Sequence, residues 1–139
     1  MTIAFEISEF ISASPLVVYQ TWLSSAGHTA MTGSPADASA EVGETFSAWD
    51  GYISGHNVEL EPGVRIVQAW RTTEFQQNEE DSLLEVSLTA QEEGTLVTIR
   101  HSNLPANGEQ YLQGWQEFYF APMQNYFARR AQNSPGELD

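Results

Sequence analysis

The chain has no cysteine, no lysine and no long apolar run. The first absence excludes disulfides, thiolate metal sites and cysteine nucleophiles. The second leaves five arginines as the only fixed cations against 19 acidic residues, for a net charge of -14. Such a surface repels phosphate backbones and anionic lipid, so nucleic acid and membrane surfaces are poor partners, and the charge reads as a device for solubility. The third matters because a spanning helix needs about 20 apolar residues in succession. The opening MTIAFEISEF carries early glutamates and no basic stretch, unlike a secretory signal, and the expectation is a cytoplasmic protein. There is no G-x-S-x-G, phosphate loop or dinucleotide fingerprint, and Gly51, Gly55 and Gly63 read as hairpin punctuation.

What is present is a globular composition: 41% hydrophobic and 12% aromatic in 139 residues, enough for the core of one domain. Ile3, Phe5 and Ile7 alternate with polar residues, which predicts a strand. Ser14-Pro15 is a helix start, with serine as cap and proline at the first helical position. Val18, Tyr19, Trp22 and Leu23 continue at helical spacing, and Gly27 is expected to end that helix before a short turn over His28 to Met31. Residues 33–44 are small, polar and acidic and read as a loop. Strands are predicted from Phe46 to Trp49, Tyr52 to Leu60, Arg65 to Thr72, Leu83 to Ala90 and Leu96 to Ser102. Asp50-Gly51, Pro62-Gly63 and Glu93-Gly94 supply turns. Tyr111, Trp115, Phe118, Tyr119, Pro122, Met123, Tyr126 and Phe127 recur every three or four residues, a wide apolar stripe that predicts one long helix over about 108–130, with a kink or loosened turn at Pro122.

One antiparallel sheet with an apolar face and one bulky helix bury both faces if the sheet curls around the helix. The fold class is therefore α+β, with two short helices after the first strand, a single domain over 1–131 and a frayed tail over 132–139. The segments ASPLVVYQTWL (13–23), HTAMTGSPA (28–36), 46–71, GTLVTIRHSNLP (94–105) and GWQEFYFAPMQNYF (114–127) resemble, in order and spacing, the helix-grip fold of the Bet v 1/START-like (SRPBCC) superfamily. More narrowly they resemble the domain named for the C-terminal half of the activator of the Hsp90 ATPase (AHSA1-type). The resemblance spans residues 3–128. It implies apolar-ligand binding, protein contacts or cyclase-like chemistry in one cavity, with an Hsp90-type chaperone as a possible partner. The activator's N-terminal domain, which makes a major chaperone contact, has no counterpart in these residues.

A curled sheet around a helix leaves an internal space whose candidate lining is Phe46, Trp49, Trp70, Val86, Leu88, Val97, Ile99, Trp115, Tyr119 and Met123, with His101 at its mouth. Either these rings wall a pocket for an apolar small molecule or a protein client, or they pack against each other and fill it. His101 could anchor a ligand, act as acid or base with Tyr119, or satisfy backbone groups at the strand-to-helix corner. His28 reads as a local tie and His56 as solvent-facing. The three histidines lie in different elements without metal-ligand spacing, so no metal and no cofactor is expected. Glu59, Glu74 and Glu117 are the carboxylates near apolar positions, and Arg65 and Arg71 could either capture a ligand carboxylate or form surface ion pairs. The expectation is a binding domain without catalytic machinery, its oligomeric state open.

Overall fold

The computed structural model describes residues 2–132. Strand β1 (Thr2–Ile11) is followed by α1 (Pro15–Trp22) and α2 (Ser25–Thr32). Then come β2 (Thr45–Ala48), β3 (Ile53–Glu61), β4 (Arg65–Thr72), β5 (Ser82–Gln91) and β6 (Gly94–Pro105). The C-terminal helix runs as α3 (Gln110–Trp115), a π-helical turn (Gln116–Phe120) and α4 (Ala121–Gln132). The strands form one antiparallel sheet in the order β1-β6-β5-β4-β3-β2, so only β1 pairs with a strand remote in sequence. The predicted helix-grip architecture is what forms: a curved sheet packed on the long helix, with α1 and α2 closing one end. The tail expected over 132–139 falls outside the described residues except for Gln132, which is helical.

Local chemistry explains the element boundaries. Ser14 caps α1 through its side chain, and Pro15 occupies the position where a missing N–H costs nothing. The sequence places the end of that helix at Gly27, but it ends at Trp22. Ser24 then caps a new helix by accepting from the Gly27 N–H, and left-handed Gly33 closes α2 at φ 84°. Gly55 does not punctuate a hairpin. It lies inside β3 opposite Trp70, and a Cβ there would stand 1.8 Å from the Ala69 carbonyl oxygen and 2.9 Å from the Phe46 ring. Close approach of backbone and ring requires glycine at that position.

The disturbance expected at Pro122 takes the form of a loosened turn: the turn just before it widens, with the Ala121 N–H bonding the Gln116 carbonyl. Proline has no N–H for the Phe118 carbonyl, and its ring would press on that oxygen; a wider turn removes the conflict. The turn also serves the core. Tyr111, Trp115, Tyr119, Met123 and Phe127 recur every four residues and are all buried. At 3.6 residues per turn that spacing drifts around the helix by roughly 40° each step. One widened turn takes back part of the drift and keeps the five on one face. It also turns Phe120 inward and Phe118 outward.

The acidic loop after α2 is tied to the sheet rather than free. Asn57 is buried on β3, and its amide donates to the carbonyls of Ser39 (2.8 Å) and Glu41 (2.9 Å). Gln68, opposite it on β4, donates to the Asn57 oxygen at 2.9 Å. Asp37 and Ser47 add a backbone bridge.

Candidate functional site

Between the β2–β3 turn and the first half of the long helix lies a cavity of about 350 Å3. It is lined by Trp49, Tyr52, Ile53, Trp70, Tyr111, Gly114, Trp115, Phe118 and Tyr119. Seven of these nine are aromatic. The rings are not parallel: Trp70 meets Tyr111 at 80° with centroids 5.1 Å apart, Trp49 meets Phe118 at 69° and 5.4 Å, and Trp115 meets Tyr119 at 52° and 4.7 Å. The wall is a cage rather than a slot.

Of the residues expected to line a pocket, Trp49, Trp70, Trp115 and Tyr119 do so. Trp49 does it from a turn, not a strand, with φ at 52° and Asp50 and Gly51 following in the same left-handed region. Phe46, Val86, Leu88, Val97, Ile99 and Met123 are not in the lining; they are buried in the core. Phe46 covers Gly55, and the others fill the space where sheet and helix close on one another. Tyr52, Ile53, Tyr111, Gly114 and Phe118 complete the lining without having been singled out for it. Their signal in the sequence was adjacency, since Tyr52 and Ile53 follow the turn that carries Trp49, and Tyr111 and Phe118 sit one turn of helix from Trp115.

His101 is fully buried on β6 and is not at the cavity mouth. The Trp115 indole N–H donates to its Nδ1 at 3.0 Å. Its Nε2 lies 2.8 Å from the Ser82 hydroxyl, which in turn donates to the Trp70 carbonyl at 2.7 Å. An indole can only donate, so Nδ1 carries the lone pair and Nε2 the proton. Burial drives the imidazole pKa down to about 3. With both nitrogens engaged, His101 has no free lone pair to act as a base. It holds the Trp115 ring in place as a wall of the cavity.

Tyr119 pairs with His28, not His101. The His28 Nδ1 sits 2.8 Å from the Trp22 carbonyl and its Nε2 2.7 Å from the Tyr119 hydroxyl. A carbonyl only accepts, so Nδ1 bears the proton and the tyrosine donates to Nε2. Burial lowers the His28 pKa and raises that of Tyr119, so both are neutral. At another edge of the cavity the Tyr52 hydroxyl donates to Glu74, and the Tyr111 hydroxyl shares a 2.6 Å bond with Thr72. Burial raises both phenols, and for Tyr52 the bond to Glu74 adds to it. The one buried polar side-chain atom without a partner among the described residues is the Trp49 indole nitrogen.

The remaining candidates lie on the surface. His56 is exposed. Arg65 pairs with Glu59, Glu61 and Glu85, and Arg71 with Asp81, so neither guanidinium is free for a ligand. Glu117 is exposed and accepts from Gln113 at 2.7 Å. Among the described residues no three His, Asp or Glu gather as a metal site, and no helix is long and apolar enough to cross a membrane.

Comparison with known proteins bears on this fold and cavity. The family model described as Activator of Hsp90 ATPase homolog 1-like protein matches residues 12–128. The human protein named activator of 90 kDa heat shock protein ATPase homolog 1 is 29% identical over 129 residues, which is 91% of this chain and 37% of that one. A Dictyostelium discoideum homologue is 29% identical over 119 residues, 83% of this chain and 30% of its own. The chain thus spans about a third of the length of these curated relatives. Among solved structures, an HSP90 activator from Plasmodium falciparum superposes with a TM-score of 0.81 at 24% identity, covering 88% of this chain and 94% of that one. The Aha1 dimer from Colwellia psychrerythraea superposes with a TM-score of 0.74 at 17% identity, covering 90% and 96%. At these identities both show a shared fold.

Proposed function

As this chain belongs to the family of Activator of Hsp90 ATPase homolog 1-like proteins, we propose that it is a binding domain of that family, taking a small apolar molecule, or an apolar side chain of a client protein, into its aromatic cavity. The observation that carries this reading is the cavity itself, walled by seven aromatic side chains. Its volume, about 350 Å3, is at the small end of the roughly 300–1,000 Å3 of known ligand sites. The apolar body would rest against Trp70, Trp115 and Tyr119.

Three of the four tryptophans line the cavity, and the fourth, Trp22, stacks on Trp115 at 6.1 Å. Intrinsic fluorescence is therefore the natural readout. Titration with small aromatic ketones and alcohols should give a saturable change, reproduced by calorimetry. No saturable response up to the solubility of the probes would overturn the reading.

A second reading is favoured by the family match: contact with an Hsp90-type chaperone, the protein that the relatives are named for activating. It predicts that the chain binds such a chaperone and changes its ATPase rate. An unchanged rate at saturating protein, with no complex by sedimentation, would remove it. Both readings go with a cytoplasmic location, tested by fractionation.

A further inference from the structure

Building on the cavity reading, we infer that the preferred occupant is an organic cation, an alkylammonium or arylalkylammonium, rather than a carboxylate such as a fatty acid. Three observations carry this. First, the walls are aromatic and carry no cationic side chain: the lining is seven aromatics, one isoleucine and one glycine. Aromatic faces carry negative potential and attract cations, most strongly where water is excluded.

Second, the cations that could receive an anion are committed elsewhere. Arg71 is the one arginine adjacent in sequence to a lining residue, Trp70, but it stands on the opposite face of β4. There it is bonded to Asp81 and to the carbonyls of Gln76 and Glu79. Arg65 and Arg100 are held by Glu59, Glu61, Glu85 and Glu6. Arg130 lies over the Tyr126 ring on the far part of the helix, and Arg129 lines a separate groove between α2 and α4.

Third, the charges bordering the lining are acidic. Asp50 follows Trp49, Glu117 precedes Phe118, and Glu74 accepts the Tyr52 hydroxyl. The net charge of -14 adds to the same sign of field.

The test is a matched set on one scaffold: naphthylmethyl-trimethylammonium, naphthylmethanol and naphthylacetate, titrated by calorimetry at low and at high salt. The ammonium should bind about tenfold or more tighter than the carboxylate, and part of that preference should persist at high salt because a cation over a ring is desolvated. In Phe118→Leu, at the exposed rim, the ammonium should lose roughly two- to threefold more affinity than the alcohol. Equal or tighter binding of the carboxylate overturns the inference while leaving the cavity reading standing. A preference that vanishes at high salt overturns it in the same way, since the general field then explains it. Binding by none of the three removes both.

Discussion

Gly114 is the position where the cavity can be filled without disturbing its frame. It lies within α3, one residue before Trp115, in helical conformation and in the lining. A Cβ built on it meets no atom within 4 Å. Glycine inside a helix costs about 0.5–1 kcal/mol relative to alanine, because the unfolded chain gives up more freedom. Gly114→Ala should therefore stabilise the protein by about 0.5–1 kcal/mol, or roughly 2–5 °C in melting temperature for a chain of this size. Gly114→Leu goes further and places an apolar side chain among the rings. Complete burial of leucine is worth about 1.5–3 kcal/mol, and in a cavity open to solvent about half of that is expected. Thermal and urea unfolding give the stabilities, and the fluorescence titration gives binding. The expected pairing is unusual: Gly114→Leu folds at least as stably as the parent and no longer binds any probe. A Gly114→Ala variant less stable than the parent would refute the reasoning, because it would mean that the open space beside the helix is not there. A Gly114→Leu variant that binds as tightly as the parent would locate the binding site elsewhere.

His101 offers a pH test: its folded pKa of about 3 lies below its ordinary value near 6.5, so between those values the unfolded chain takes a proton that the folded chain refuses. Its contribution is complete above pH 6.5 and is lost as pH falls toward 3, at about 1.4 kcal/mol per unit, with buried His28 acting in the same direction. His101→Gln can accept from Trp115 and donate to Ser82 without titrating, and its stability should fall less steeply between pH 6 and 4 by about that slope; an unchanged slope in urea unfolding would show that His101 titrates normally. Gly55→Ala should cost more than about 2 kcal/mol, since the added carbon collides with the Ala69 carbonyl, and a neutral effect on the melting temperature would contradict the close approach. Asn57→Ala should cost about 1–3 kcal/mol and expose the 33–44 loop to proteolysis, because it leaves two loop carbonyls and the Gln68 amide without their partner; a loop as resistant as in the parent would mean that it is held by other contacts.

The sheet was legible because its strands pair mostly with their sequence neighbours, and alternation such as Leu84, Val86, Leu88 marks one buried face without any knowledge of what covers it. The apolar recurrence every three or four residues from Tyr111 to Phe127 likewise announced one gripping face, and within it Tyr111, Trp115, Tyr119, Met123 and Phe127 stand four apart. That pattern also contained, unrecognised, the reason for the π turn: a strict spacing of four does not stay on one side of an ideal helix. The cavity was half legible. Trp70, Trp115 and Tyr119 face inward by periodicity, but periodicity does not say where facing walls meet and where they stand apart. Val86, Val97 and Ile99 share their inward direction with Trp70 and yet are sealed in the core.

The sequence by itself therefore determined the class of fold, the inward faces and the acidic, cysteine-free surface, because each depends on residue type and local period. Only the tertiary structure decided the partners of the histidines. His28 meets a hydroxyl 91 positions away, and His101 lies between Ser82 and Trp115. It also decided that the space lies beside Gly114 and not behind Val97. Both are matters of a few ångströms between elements distant in the chain. They are set by how the turn at Trp49 and the widened turn at Phe118 carry rings over the end of the sheet.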